Sequence, residues 1–218
     1  MREKLRDIRK PKAIKSKTAS VRSTALIFLF GIVTGFAAKW LDSLVFDDTI
    51  PWLRVMERLD LGNLFTALAI WLLLALIIAV FSYTPGKAAV NVFVFFAGMC
   101  AAYHLYSILF SGFDPGNYML IWYGITLISP VMAVLCWYAK GESTASIILS
   151  ALILWVMAMN CFSVGHWYFY LLDTINTLIF LAAAAVLYKS PKQTAIAVLA
   201  GLILAVALRQ YIPFIPGF

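Results

Sequence analysis

Asp173 stands in the segment Tyr170-Leu171-Leu172-Asp173-Thr174-Ile175-Asn176-Thr177, within one of the long apolar runs of this chain. Read as a membrane helix, that run places Asp173 about five residues, or roughly 8 Å, below its outer end. An ionised carboxylate at that depth costs on the order of 2–3 kcal/mol even on insertion scales, so it is expected to face protein or water. Asn176 and Thr177 follow at spacings of three and four, on the same helix face. Arg209, Lys39, His104 and Asn160 fall at similar depth in other runs, with His166 just before the run of Asp173. Two chemistries fit this layer. Asp173, Asn176, His104, Asn160 and Arg209 could converge, with Lys39 nearby, on a pocket for a small polar or cationic solute walled by aromatics such as Tyr103 and Trp122. Alternatively Asp173 pairs with Arg209 or Lys39 and only locks helices together, while the aromatics form an interfacial belt. Arg209 is the favoured partner, because consecutive antiparallel helices joined by a short turn are usually neighbours.

Catalysis has little to work with. The chain has two His and no GxSxG, HExxH, P-loop or dinucleotide fingerprint. One intramembrane Asp is too few for a paired-aspartate protease, and Cys161 and His166 straddle a helix end. Cys100, Cys136 and Cys161 sit in separate apolar runs, which fits small buried residues better than a disulfide or zinc framework. No metal site and no cofactor is expected.

The elements that must position these groups are seven apolar runs, at roughly 24–42, 62–83, 88–110, 118–139, 144–164, 167–188 and 194–212. Each is near or above the ~18 residues of a spanning helix. Hydrophobic residues make up 63% of the chain and charged residues 12%, so in water such a surface would aggregate, whereas in lipid it is solvated. Continuous Leu/Ala/Ile runs argue for helices over barrel strands, which alternate in polarity. The expected fold is all-α: a polytopic bundle of seven transmembrane helices, with a basic arm at 1–22, a transmembrane domain at 23–218 and an amphipathic outer-surface segment at about 48–60. In that segment Trp52, Val55, Met56 and Leu59 recur at helical spacing after Pro51.

Net charge is +7, and nine of the seventeen Lys/Arg lie in residues 1–22. Beside a membrane helix such an arm retains the N-terminus in the cytoplasm; Arg9, Lys10, Lys12, Lys15 and Lys17 are expected to touch anionic lipid rather than nucleic acid. The first run continues through Ala38 to Trp40, which favours a retained signal anchor over a cleaved signal peptide. Alternation then puts Lys87, Lys140, Lys189 and Lys192 on the arm's side, and every cytoplasmic loop agrees with an N-in, C-out chain. Gly31-Ile32-Val33-Thr34-Gly35 is a GxxxG suited to close helix packing, inside the bundle or in a homo-oligomer. Pro130 should leave one carbonyl of the fourth helix without its donor.

Three segments carry a family resemblance: Gly31 through Asp42, the turn Phe81-Ser82-Tyr83-Thr84-Pro85-Gly86-Lys87-Ala88-Ala89, and Val94 through Tyr103. Over its first half the chain resembles a group of uncharacterised bacterial, mainly Firmicutes-type, multi-pass membrane proteins. That resemblance implies a bacterial plasma-membrane protein and supplies no activity. The seven-pass haemolysin III/adiponectin-receptor type has a similar helix count and orientation, but the paired His of its last helix are missing from Leu202–Leu208. The functional expectation is a non-enzymatic membrane protein that binds or transports a small solute through an outer-half pocket. An accessory subunit docking a partner protein is the alternative, and a lipid-active enzyme is third.

Overall fold

Uninterrupted apolar sequence satisfies its own backbone groups as helix, and here it does so seven times among the described residues. The computed structural model describes residues 8–11, 16–43, 64–65, 67–165, 167–209 and 211. The helices are α1 (Lys17–Asp42), α2 (Leu68–Phe81), α3 (Pro85–Phe110), α4 (Gly116–Ala139), α5 (Thr144–Cys161), α6 (Thr174–Leu187) and α7 (Pro191–Leu208). Five of them, α1, α3, α4, α5 and α7, are long and apolar enough to cross a membrane. The protein is an integral membrane protein built as an all-α bundle. Helices α2 and α6 have 14 residues each. At 1.5 Å per residue that gives about 21 Å, short of a hydrocarbon core of ~30 Å.

Helix starts follow the local chemistry. Ser16, Ser143 and Ser190 cap α1, α5 and α7 with their hydroxyls, and Pro191 opens α7. Pro85 opens α3. Gly112, at φ +69°, takes the left-handed residue of the α3–α4 turn. Helix α1 begins at Lys17, so Lys17 to Arg22, expected in the arm, form its first turns. The largest departure lies at 162–171. There the chain makes a short antiparallel hairpin, β1 (Phe162–Val164) with β2 (Phe169–Leu171), pairing Phe162 with Leu171. The expected fifth and sixth apolar runs therefore shorten to α5 and α6. The 48–60 segment, Lys12, Lys15 and His166 lie outside the described residues.

The chain divides into two units, and α3 and α4 contribute to both. The first comprises 1–13, 68–89 and 131–217: α2, the end of α4, α5, the hairpin, α6 and α7. In it α5 packs on α7, α6 and α2, around Trp71, Leu76, Trp137, Leu154 and Met157. The second comprises 14–67 and 90–130, with α1, most of α3 and the start of α4. Here α1 meets α3 through glycine. A Cβ on Gly31 would overlap the Phe95 carbonyl oxygen, one on Gly35 that of Met99, and one on Gly98 that of Phe28. The GxxxG face is therefore filled by α3 of the same chain. Thr24 donates to Asn91 across the same contact, at 2.8 Å. In α4 the carbonyl that Pro130 cannot bond is that of Thr126, and the Ser129 hydroxyl takes it at 2.8 Å. Outward residues such as Leu120, Leu127, Ile128, Val131 and Ile203 stay exposed, as a lipid-facing surface requires.

Candidate functional site

The expected polar layer is distributed over the two units. Asp173, Asn176, Asn160 and Arg209 belong to the first, and Lys39 and His104 to the second.

Asp173 is not inside a helix. The hairpin ends at Leu171, and Asp173 is the exposed N-cap of α6. Its Oδ1 accepts from the Asn176 backbone N–H at 2.7 Å, and its Oδ2 from the Asn176 side-chain amide at 2.6 Å. Thr177 donates its hydroxyl to the Asp173 carbonyl at 2.9 Å. The i, i+3, i+4 stripe read from the sequence is therefore a capping arrangement, in which a carboxylate satisfies donors that helix geometry leaves open. Of the expected partners, the structure gives Asp173 its own-helix neighbour Asn176. Asn160 donates back to Val156, one turn earlier in α5, at 2.8 Å.

Beside these residues lies an open pocket with about 120 Å³ of room. Met159 and Phe162 at the end of α5, Ser163 and Val164 in β1, Leu172 after β2, and Arg209 beyond α7 line it. Apolar walls with one guanidinium and one hydroxyl suit a small ligand that has an apolar body and an acceptor group. The hairpin makes this pocket possible, because it carries Ser163 and Leu172 to the side of α7's end. Phe162 is held by tilted ring contacts with Phe169 and Phe180, at 5.0 and 4.9 Å between centroids.

In the second unit Lys39 is buried, at 6% exposure, with its ammonium on Asp42, three residues on in α1. The rings of Tyr103 and Phe113 lie 5.5 and 5.0 Å away, a cation–π setting. His104 bridges two groups. Its Nδ1 meets the Tyr123 hydroxyl, and its Nε2 meets Asp114 Oδ1 at 3.0 Å. A carboxylate, an imidazole and a hydroxyl in that order resemble a proton relay. Here they join α3, the α3–α4 turn and α4. Among the described residues no group of three His, Cys, Asp or Glu could hold a metal ion.

The opposite end of the first unit holds groups that the sequence did not connect. The C-termini of α2, α4 and α6 meet there, and side chains take up their open carbonyls. Arg9 donates to Trp137 O at 2.7 Å and Val80 O at 2.9 Å, and lies 4.3 Å over the Trp137 ring. Lys140 donates to Val186 O and Tyr188 O, both at 2.6 Å. Ser146 and Ser150 of α5 donate to Tyr138 O and Ala139 O, each at 3.0 Å. Arg9, expected on the lipid surface, is thus docked against the bundle, whereas Lys10 is exposed.

No family model, curated protein or solved structure matches this chain.

Proposed function

We propose that this is a non-enzymatic, seven-pass plasma-membrane protein, N-in and C-out, that moves or senses a small solute bound in the pocket at Arg209. The observation that carries the reading is the pocket itself. Its room of about 120 Å³ is below that of a drug-sized site, roughly 300 Å³ or more, and fits a solute of only a few heavy atoms between apolar walls and one cationic side chain. Because the Asp173 carboxylate is already engaged by Asn176, the ligand class moves from cations towards solutes with an anionic or other acceptor group. The topology is supported by Arg9, which docks at the end where α2, α4 and α6 terminate, as alternation from an inside N-terminus requires. The Lys/Arg bias supports a cytoplasmic side for that end, and the resemblance of the first half supports a bacterial membrane.

The test uses benzoate as an amphipathic anion and benzyl alcohol as its uncharged counterpart, with the detergent-solubilised full chain. Benzoate raises the melting temperature of the wild type by a few degrees, benzyl alcohol does not, and Arg209→Gln loses the benzoate effect. No benzoate effect, or one that survives in Arg209→Gln, would remove the solute reading. One observation favours the second reading, an accessory subunit that docks a partner protein. Asp173, Asn160, Lys39 and His104 are all closed on near neighbours, as structural polar groups are.

A further inference from the structure

Three cations converge at the end of the first unit opposite the Arg209 pocket, and one of them has no partner. Arg9 comes from the N-terminal segment, Lys140 from the α4–α5 turn and Lys189 from the α6–α7 turn. The N-terminal segment is seated closely: a Cβ on Gly141 would overlap the Ile8 carbonyl oxygen. Arg9 and Lys140 are occupied with helix carbonyls, as described above. Lys189 Nζ is different. It is buried and makes no hydrogen bond, one of three such side-chain atoms among the described residues, with Ser111 Oγ and Trp155 Nε1. Burial comes first in pushing its ammonium down to about 8, followed by repulsion from Lys140 and Arg9. Among the described residues the opposing group is Glu142, which is exposed.

A buried ammonium among like charges is an unfavourable arrangement unless an anion completes it. Lys189 also lines a small cavity, together with Ser150, Leu187, Gln193, Thr194 and Ala197. That cavity has room for about one water, and so for a single oxygen of a larger anion. The first turn of α7 adds the positive end of a helix dipole, and Lys192 stands exposed beside it. One oxygen inside, with the rest of the group outside among lysines, is the way a phosphate ester would sit.

We propose that Lys189, with Lys140 and Arg9 around it, forms a phosphate site at this end of the bundle. Because the site lies where helices of a membrane bundle terminate, the occupant is the headgroup phosphate of an anionic lipid. The site is independent of the Arg209 pocket and uses none of its residues. In contrast to a charged arm lying loosely on the membrane, it is a fixed position closed by three separate segments.

The experiment measures the melting temperature of the delipidated full chain in neutral detergent. Phosphatidylglycerol, phosphatidylcholine and inorganic phosphate are added in separate arms. Phosphatidylglycerol raises the melting temperature by roughly 5 °C at saturation, and phosphatidylcholine does not. Lys189→Gln loses that increment, Lys189→Arg keeps most of it, and Lys10→Gln on the exposed arm keeps all of it. Lys189→Gln removes an uncompensated buried charge, so the variant is expected to fold at least as well as the wild type. A shift with inorganic phosphate as well supports the site and identifies free phosphate or its soluble esters as the source. No shift with either anion overturns the proposal, as does an equal shift with phosphatidylcholine or a full shift in Lys189→Gln.

Discussion

Asp173 shows what a residue's neighbours in sequence do and do not reveal. Its spacing to Asn176 and Thr177 is a genuine signal, and all three interact as that spacing implies. What the spacing could not decide was whether the chain is already helical at Asp173 or only starting to be. A carboxylate three residues before an amide serves equally as a mid-helix stripe or as an N-cap. The distinction has a measurable consequence. As a cap, Asp173→Ala costs about 1 kcal/mol, because α6 loses the acceptor for its Asn176 N–H. Asp173→Asn costs only a few tenths, since Asn caps almost as well. Urea unfolding of the two variants in detergent reads the difference. Equal, large losses for both would mean that the negative charge, not the cap, is what the fold uses. Lys39 gives a second lesson at this scale. Its partner is Asp42, three residues on in the same helix, and not the more distant Asp173.

Elements were legible where local chemistry punctuates them. Ser143, Ser190-Pro191 and Pro85 each open a helix, and Gly31 and Gly35 mark a face that is in fact packed. The hairpin was hidden, because Phe162-Ser163-Val164 and Phe169-Tyr170-Leu171 are apolar and merge with the helical runs on either side. A short apolar stretch has no period of its own to separate strand from helix. The available signal was compositional: Gly165 followed by four aromatics, Trp167 to Tyr170, which favours a turn and a strand. The α1–α3 contact yields a sharp test. Gly31→Leu forces side-chain volume into the Phe95 backbone and lowers stability by about 2 kcal/mol or more. Gly86→Ala, in the first turn of α3 with nothing within 4 Å of the new carbon, is neutral or stabilises by roughly 0.5 kcal/mol. If thermal melts showed the two substitutions to be equivalent, the glycine contact would not be holding α1 to α3.

At the scale of the molecule, the two ends of the first unit differ in kind. One is closed: helix C-termini are tied by Arg9, Lys140, Ser146 and Ser150, residues from three separate parts of the chain. Such a cluster exists only once the fold has formed, so no spacing in the sequence could have announced it. The other end is open, with the hairpin and Arg209 around a pocket. The function proposed above predicts that the pocket faces outside and the tied end faces the cytoplasm. Single cysteines at Leu172, on the pocket's rim, and at Ser190, in the α6–α7 turn, sample the two ends. With a membrane-impermeant thiol reagent, Leu172→Cys is expected to label in intact cells, and Ser190→Cys only after the cells are opened. Labelling of Ser190→Cys from outside while Leu172→Cys stays protected would contradict the account, because the Arg209 pocket would then face the cytoplasm.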